Sequence, residues 1–392
     1  MKKTGICIVG GGAAGLCAAI SAKRKGADVL LVERLPRVGK KILATGNGRC
    51  NITNTDITYD NYHGDSDFAF KVLSEFGRDE ALDFLSSIGI VCTESENGKM
   101  FPKSLQATSV LDLLRAEIQR LGIETVTGFC VKEIKKEKNQ FVLSSETEKI
   151  FAGKVILACG GYAAPSFGTD GIGARLSKSL GHTVTPVYPA LVQLKTEKPP
   201  GALKGVKHFC MAHLYIEGKK VKSKWGEVLF TEYGLSGPPI FDLSREASVA
   251  VSNNIKTEIS LELISDDFNS LKQTLDKRKK DFPDLTGENF LNSIIHKKIG
   301  FEIVKKTSDI KETAALLKNW RHRITGTMGF KNAQVTAGGV LCSEVYPETL
   351  MSKKVKGLYF AGEILDVDGD CGGYNLQWAW SSGVLAGENA AL

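Results

Sequence analysis

The chain predicts an α/β protein: a discontinuous Rossmann-like domain carrying an inserted antiparallel β-domain and a small helical domain. Three observations predict it. The N-terminus reads as strand, glycine turn, helix and strand; the last fifty residues return to buried-strand character; and the texture between them, from about residue 183, is different.

In order, Thr4–Val9 is a short apolar run, Gly10–Gly12 a turn, and Ala13–Lys25 a helix with Leu16 and Ile20 on one face. Asp28–Glu33 is a second apolar strand. Such a βαβ start implies a parallel sheet with helices on its faces. Helices are predicted at Phe68–Phe76, at Glu80–Ile88 and after Thr108 and Ser109, which are N-cap candidates. Thr125–Ile134 and Gln140–Ser144 read as an antiparallel meander, and Lys154–Ala158 as a buried strand. Beyond Thr183, Pro186, Pro189, Pro199, Pro200, Pro238 and Pro239 punctuate strand-like runs at Met211–Ile216, Ser248–Val251 and Thr257–Leu263. Residues 265–321 read as helical, Ala333–Leu341 as β, and Gly357–Ala361 as a buried strand again. The expected domains are therefore 1–183 with 342–392, 184–264 with 322–341, and 265–321.

Composition excludes several classes. The net charge of +7 comes from short, dispersed lysine runs that read as solvated faces, so a nucleic-acid partner is not expected. Nine scattered cysteines without a CxxC pair or metal-ligand spacing point to reduced thiols in a cytoplasmic protein, with no metal. Lys2, Lys3 and the uncharged stretch to Ala22 mimic a signal peptide, but three adjacent glycines argue for a turn. No other stretch could span a bilayer, and no membrane partner is expected.

The chemistry starts at Gly10-x-Gly12-x-x-Gly15. Gly10 permits the tight turn, Gly12 lets the backbone approach a pyrophosphate, and Gly15 lets the helix pack closely on the sheet. The helix N-terminus offers free N–H groups to phosphate. Glu33, 18 residues after Gly15, ends the second strand where a carboxylate accepts ribose hydroxyls and disfavours a 2′-phosphate. FAD and NAD fit equally at this point. Two later segments favour FAD: the strand ending Ala158-Cys159-Gly160, able to pass under a dinucleotide, and Phe360-Ala361-Gly362-Glu363, whose acid can bond a ribityl hydroxyl that NAD lacks. Gly372-Gly373-Tyr374-Asn375 then opens a helix whose N-terminus suits the flavin N1–C2=O edge. Asp368 and Asp370 are expected to point to solvent, since buried carboxylates without partners are costly.

The segment Gly39–Asn54, with Thr45-Gly46-Asn47-Gly48-Arg49-Cys50-Asn51 at its heart, resembles the signature of the BaiN/RdsA family of bacterial FAD-dependent oxidoreductases, which includes aminoacetone-oxidase-like flavoproteins. Met100-Phe101-Pro102, Gln334–Val340 and Asp366–Gln377 resemble further family motifs, in order along the whole chain. The resemblance implies an FAD domain, an inserted β-barrel-like domain and a small helical domain. It implies FAD contacts at Ala13, Ala14, Glu33, Arg34, Lys40, Lys41, Thr45–Asn51, Val131, Gly362, Glu363, Asp366, Gly373, Tyr374, Asn375, Leu376 and Gln377. Lys40, Lys41 and Arg49 would bring positive charge beside the pyrophosphate. Gly168–Arg175 resembles the GDG-helix element of the fumarate reductase flavoprotein superfamily, which implies a single bound dinucleotide.

Cys50, Cys159 and Cys371 lie in flavin motifs but lack close partners, and read as small-residue packing. Trp378 and Trp380 read equally as a cofactor wall and as helix packing. No catalytic acid or base, and no oligomeric state, is legible. The resemblance implies hydride exchange between flavin N5 and a small organic substrate. One version is reduction of a conjugated C=C bond, as in unsaturated 3-oxo bile-acid intermediates, with NAD(P)H as a transient reductant. The other is oxidation of a small amine such as aminoacetone by O₂. An RNA-acting flavoprotein and a non-catalytic redox sensor are the remaining alternatives.

Overall fold

The computed structural model describes residues 2–199 and 201–392; Met1 and Pro200, one of the prolines noted above, lie outside the described residues. The chain divides into two compact units, residues 1–188 with 335–392 and residues 189–334, each with its own hydrophobic core.

The first unit begins with β1 (Lys2–Val9), α1 (Ala13–Arg24) and β2 (Val29–Glu33). Tyr62–Gly64 forms β3, and α2 spans Ala107–Arg120. β4 (Glu124–Thr127), β5 (Glu133–Glu137), β6 (Gln140–Ser144) and β7 (Lys149–Leu157) complete most of the main sheet, whose order is β4-β2-β1-β7-β6-β5. The expected meander is only half correct. Glu124–Thr127 pairs parallel with Leu30–Glu33, and Gly128, at φ +74°, turns the chain out of the sheet. Only β5 and β6 are antiparallel neighbours. The predicted caps also shift: α2 starts after Gln106, because the Ser109 hydroxyl donates back to the Gln106 carbonyl instead of capping. Ser66–Glu75 and Arg78–Ser86 are the two expected helices between β3 and α2. Ile172–Ser179 is α3.

In the second unit, β8 (Leu194–Thr196), β9 (Lys207–Ile216), β10 (Lys219–Phe230), β11 (Gly234–Ser236), β12 (Thr257–Glu262) and β13 (Trp320–Thr327) close an antiparallel barrel in the order β8-β11-β10-β9-β12-β13. Ser248–Val251, expected as a strand, belongs to helix α4 (Pro238–Ser252). Two prolines start that helix, and Ile240, Leu243, Ser244, Ala247 and Ser248 give it a buried face of helical period. α5 (Phe268–Asp281), α6 (Lys297–Val304) and α7 (Ile310–Lys318) bury Leu271, Leu275, Ile299, Ile303 and Leu317 in the same cluster as the barrel strands.

The chain then returns to the first unit with β14 (Leu358–Phe360), parallel to β7, and β15 (Val367–Gly369), antiparallel to β3. It ends in α8 (Tyr374–Ala391), which packs along α1. A Cβ at Gly383 would lie 2.5 Å from the Ala14 carbonyl oxygen, and one at Gly387 would lie 2.4 Å from that of Ala18. Two glycines one turn apart thus let the helix backbones meet. Among the described residues no helix is long and apolar enough to cross a membrane.

Two stability predictions follow from these cores. Gly387→Leu should destabilise the protein by about 2–3 kcal/mol through overpacking against α1, measured by urea unfolding; unchanged stability would mean that the helices separate without cost. His322 on β13 is 7% exposed, beside Trp320 and Phe230, and its Nε2 has no partner. Burial, reinforced by Lys306, pushes its pKa down to about 4. The unfolded imidazole, at 6.5, binds a proton that the folded one refuses. Stability should therefore fall as pH drops from 6.5 toward 4, by on the order of 3 kcal/mol. His322→Leu should flatten that part of the stability–pH curve; an unchanged slope would place the effect in other groups.

Candidate active site

The candidate site lies at the C-terminal ends of β1, β2 and β7, where the strand order reverses direction and ligands of open α/β sheets bind. Glycine geometry explains the first loop. Gly10 has φ +108°, and its Cβ would strike the Ala158 carbonyl at 2.5 Å; a Cβ at Gly15 would lie 1.8 Å from the Gly10 carbonyl oxygen. Both glycines are required by the protein's own packing. Gly12 differs: a Cβ there would meet nothing within 4 Å. Open space therefore faces the start of α1, which has no side-chain cap and no acid in its first turn. Its free N–H groups are available to an anion.

Beside this loop is a solvent-open cleft bounded by β1, β2 and the 129–131 segment, with Gly168, Ile172 and Leu176 opposite. Of the expected residues, Gly10, Glu33, Arg34, Val131 and Cys159 line it. Glu33 has a second duty. Its Oε2 accepts the Gly11 N–H at 2.7 Å and its Oε1 accepts the Leu35 N–H at 2.8 Å, which ties the glycine loop to the end of β2. A carboxylate has about four acceptor positions, so two remain for ribose hydroxyls. Arg34 pairs with Asp170 at 2.6 Å and donates to the Gly168 carbonyl. Lys40 donates to the Ser166 carbonyl at 2.9 Å, so two bonded residues strap the 166–170 segment to the β2 exit.

The three cations expected at a pyrophosphate differ in their partners, Lys40 bonding only the Ser166 carbonyl. Lys41 pairs with Glu363 at 2.7 Å, and the Arg49 guanidinium stacks 4.8 Å over Phe101. Charge neutralisation explains the first and an aromatic face the second.

The Thr45–Asn51 segment turns through three consecutive positive-φ residues, Gly46, Asn47 and Gly48. Cys50 is fully buried with φ +60°, and Thr45 donates to the Ile42 carbonyl. Asn51 carries a buried Oδ1 with no partner in the protein. Such an orphan acceptor fits a donor from a bound ligand. Burial pushes the thiols of Cys50 and Cys159 up to about 12, so neither is a thiolate near neutral pH.

Around the start of α8 the side chains turn inward. Gln377 is fully buried between Thr53 and the Gly77 carbonyl, Asn375 brackets Gly369, and the Tyr374 hydroxyl donates to the Asp56 carbonyl. Asp366 accepts from Thr185. A Cβ at Gly373 would lie 2.4 Å from the Thr53 carbonyl oxygen. What α8 leaves for a ligand is backbone: no side chain caps its N-terminus. Gly362 donates to Ser382 and packs on Ala14, and the Trp378 and Trp380 indoles donate to the carbonyls of Gly362 and Ile52, as helix packing demands. Asp368 and Asp370, expected in solvent, are 2% and 4% exposed. Pairing of β15 with β3 carries them inside, and His63 meets Asp370 at 2.7 Å.

Sequence reasoning missed Asp170, Phe129 and Thr336. The Thr336 hydroxyl accepts the N–H groups of Tyr162 and Ala163, and its own N–H donates to Glu363. The only sequence signals were their places in the Gly168–Arg175 and Gln334–Val340 segments and, for Phe129, the preceding Gly128 turn.

The sequence profile of the HI0933-like protein Rossmann domain matches residues 4–389. The chain is 40% identical, over 98% of both chains, to 3-dehydro-bile acid delta(4,6)-reductase of Clostridium scindens. It is 29% identical to ribosomal RNA dihydrouridine synthase of Escherichia coli, over 97% of this chain and 96% of that one. Among solved structures it resembles 3-ketosteroid-delta4-(5alpha)-dehydrogenase of Rhodococcus jostii, with TM-score 0.52 and 14% identity over 100% of this chain and 97% of that one, a likeness of fold.

Glu33→Ala should weaken FAD binding by on the order of 2–3 kcal/mol, about a hundredfold in Kd, by removing a charge-assisted acceptor. Isothermal titration of apoprotein checks it, with Glu33→Gln retaining part of the loop tie. An unchanged Kd for both variants would assign Glu33 to the loop alone.

Proposed function

The chain belongs to the HI0933-like family and is an oxidoreductase of the FAD-dependent type, and from that premise we propose that it reduces a C=C bond conjugated to a carbonyl in a small bile-acid-like enone. The end-to-end 40% likeness to a reductase of that substrate class carries the reading. The open space at Gly12 and the uncapped α1 suit the cofactor, and the orphan Asn51 acceptor, which is not among the residues lining the cleft, suits a ligand donor. When bound, FAD supplies the hydride chemistry at its N5. In this reading the N–H groups of Ala13 and Ala14 hold the pyrophosphate, and Glu33 orients the adenosine ribose. Arg34 and Asp170 close the adenosine end. The Lys41–Glu363 pair, fixed by Thr336, presents a carboxylate toward the ribityl chain. NAD(P)H visits as reductant, since the sequence holds one glycine fingerprint of this kind.

A second reading has its own observation. Residues 189–334 contain 24 Lys and Arg against 17 Asp and Glu, so 24 − 17 = +7, the whole net charge of the protein. The other unit has 27 of each. On the barrel exterior Phe209 and Trp225 are 61% and 59% exposed, on neighbouring strands β9 and β10, and Arg321 lies 4.2 Å over Tyr215. Exposed aromatics within a basic unit suit stacking on single-stranded RNA. The uracil C5=C6 bond is also conjugated to a carbonyl, so the same hydride chemistry would serve.

Under anaerobic conditions NADH or NADPH should bleach the loaded protein, and a 3-oxo-4,6-diene bile acid should restore its colour faster than air. Faster recovery with O₂ and no response to the diene would favour the amine-oxidase alternative. Filter binding of ribosomal RNA across a salt series tests the second reading: affinity should drop steeply with salt, and a salt-independent or absent signal removes it.

A further inference from the structure

A second hollow in the first unit shares no lining residue with the cleft at β1 and β2. It holds about 350 Å³, within the range of small-molecule sites. Ile57, Phe70 and Leu73 form its apolar wall, and Arg78, Asp79 and Glu80 its polar rim. Phe70 meets Tyr62 edge-on, with ring centroids 6.1 Å apart, which fixes the wall. The helix Arg78–Ser86 starts at the rim, and Asp79 and Glu80 occupy its first turn, so its positive end is already matched. Arg78 is engaged: its Nε donates to Asp79 at 2.7 Å and its Nη1 to the Thr55 carbonyl at 2.9 Å. Glu80 Oε2 accepts the Gly77 N–H at 2.9 Å. The second oxygens, Asp79 Oδ2 and Glu80 Oε1, have no hydrogen-bond partner among the described residues. Glu94, which accepts from the Thr55 hydroxyl, adds a third carboxylate beside one guanidinium. An apolar wall under an acid-rich rim suits a molecule with an apolar body and an ammonium head. Such a ligand buries its chain while its charge stays in water.

Two walls of the hollow are tied to the first turn of α8. The Gly77 carbonyl accepts from Gln377 Nε2 at 2.9 Å, and Gln377 Oε1 accepts the Thr53 hydroxyl at 2.6 Å. The Tyr374 hydroxyl donates at 3.1 Å to the carbonyl of Asp56, which stands between the lining residues Thr55 and Ile57. We propose that this hollow is an effector site for small amphipathic ammonium compounds, coupled through Gln377 and Tyr374 to the start of α8. A ligand packed against both walls holds both ties in place and stiffens that start, so FAD should bind more tightly. The coupling rests on the reading that FAD lies at the start of α8; the binding of the amine does not. By linkage, FAD must raise the affinity for the amine by the factor by which the amine raises that for FAD.

The test is calorimetric titration of the purified protein with octylamine, octanol and octanoate, three probes with one apolar body and different heads. Octylamine should bind saturably and about fivefold tighter than octanol, as an ammonium beside two exposed carboxylates warrants, with octanoate the weakest. Ser74→Trp, which fills the hollow from the exposed face of the helix Ser66–Glu75, should abolish binding of octylamine. Asp79→Asn combined with Glu80→Gln should bring octylamine down to the affinity of octanol. No saturable binding, equal binding by wild type and Ser74→Trp, or octanoate as tight as octylamine overturns the site. The coupling is read from the Kd of FAD with and without saturating octylamine. It should tighten about fivefold in wild type and stay unchanged in Ser74→Trp. Octylamine binding that leaves the FAD Kd unchanged or weaker overturns the coupling. A chain that takes up no FAD overturns the flavin reading and the coupling with it, whereas loss of octylamine binding overturns the site alone.

Discussion

The first turn of α1 is held by close backbone approaches from three sides, and the rest of the first unit is arranged around it. Gly15 sits on the Gly10 carbonyl, Gly362 on the Ala14 methyl, and Gly383 on the Ala14 backbone. No side chain larger than hydrogen fits at Gly15 or Gly383 without moving backbone. These contacts bring β1, the end of β14 and α8 to one point, so segments hundreds of residues apart share a small volume. The uncapped N–H groups of α1 then face open space at Gly12, the one glycine of the fingerprint not required by internal packing.

Electrostatics around that point is mostly internal. Lys41 is matched by Glu363, and Arg34 by Asp170. Both pairs span a large separation in sequence. The first unit has no net charge, and the excess of lysine and arginine lies in residues 189–334. The uncapped start of α1 adds oriented backbone dipoles that carry no counter-ion of their own.

Much of this was legible in the sequence, where local rules decide the outcome. The Gly10–Gly15 turn, β2 ending in Glu33, the strand before Gly362 and the helix after Gly373 all follow from short-range patterns. Misreadings arose where a distant partner decided. Ser248–Val251 looks like a strand by composition, but two prolines and a buried stripe make it helix. Asp370 looks solvent-bound until β3 supplies His63. The pairing of Lys41 with Glu363, 322 residues away, has no local sequence signal. Asp170 is legible only as part of the Gly168–Arg175 segment, because its partner Arg34 is distant in sequence.

The central claim is that this cleft holds one FAD, and releasing the cofactor tests it most directly. Protein purified without added flavin should be yellow, and heat denaturation should free FAD at about one per chain, identified by chromatography and by its fluorescence rise on cleavage to FMN. Colourless protein that takes up no FAD on reconstitution, or FMN alone in the supernatant, would contradict the account.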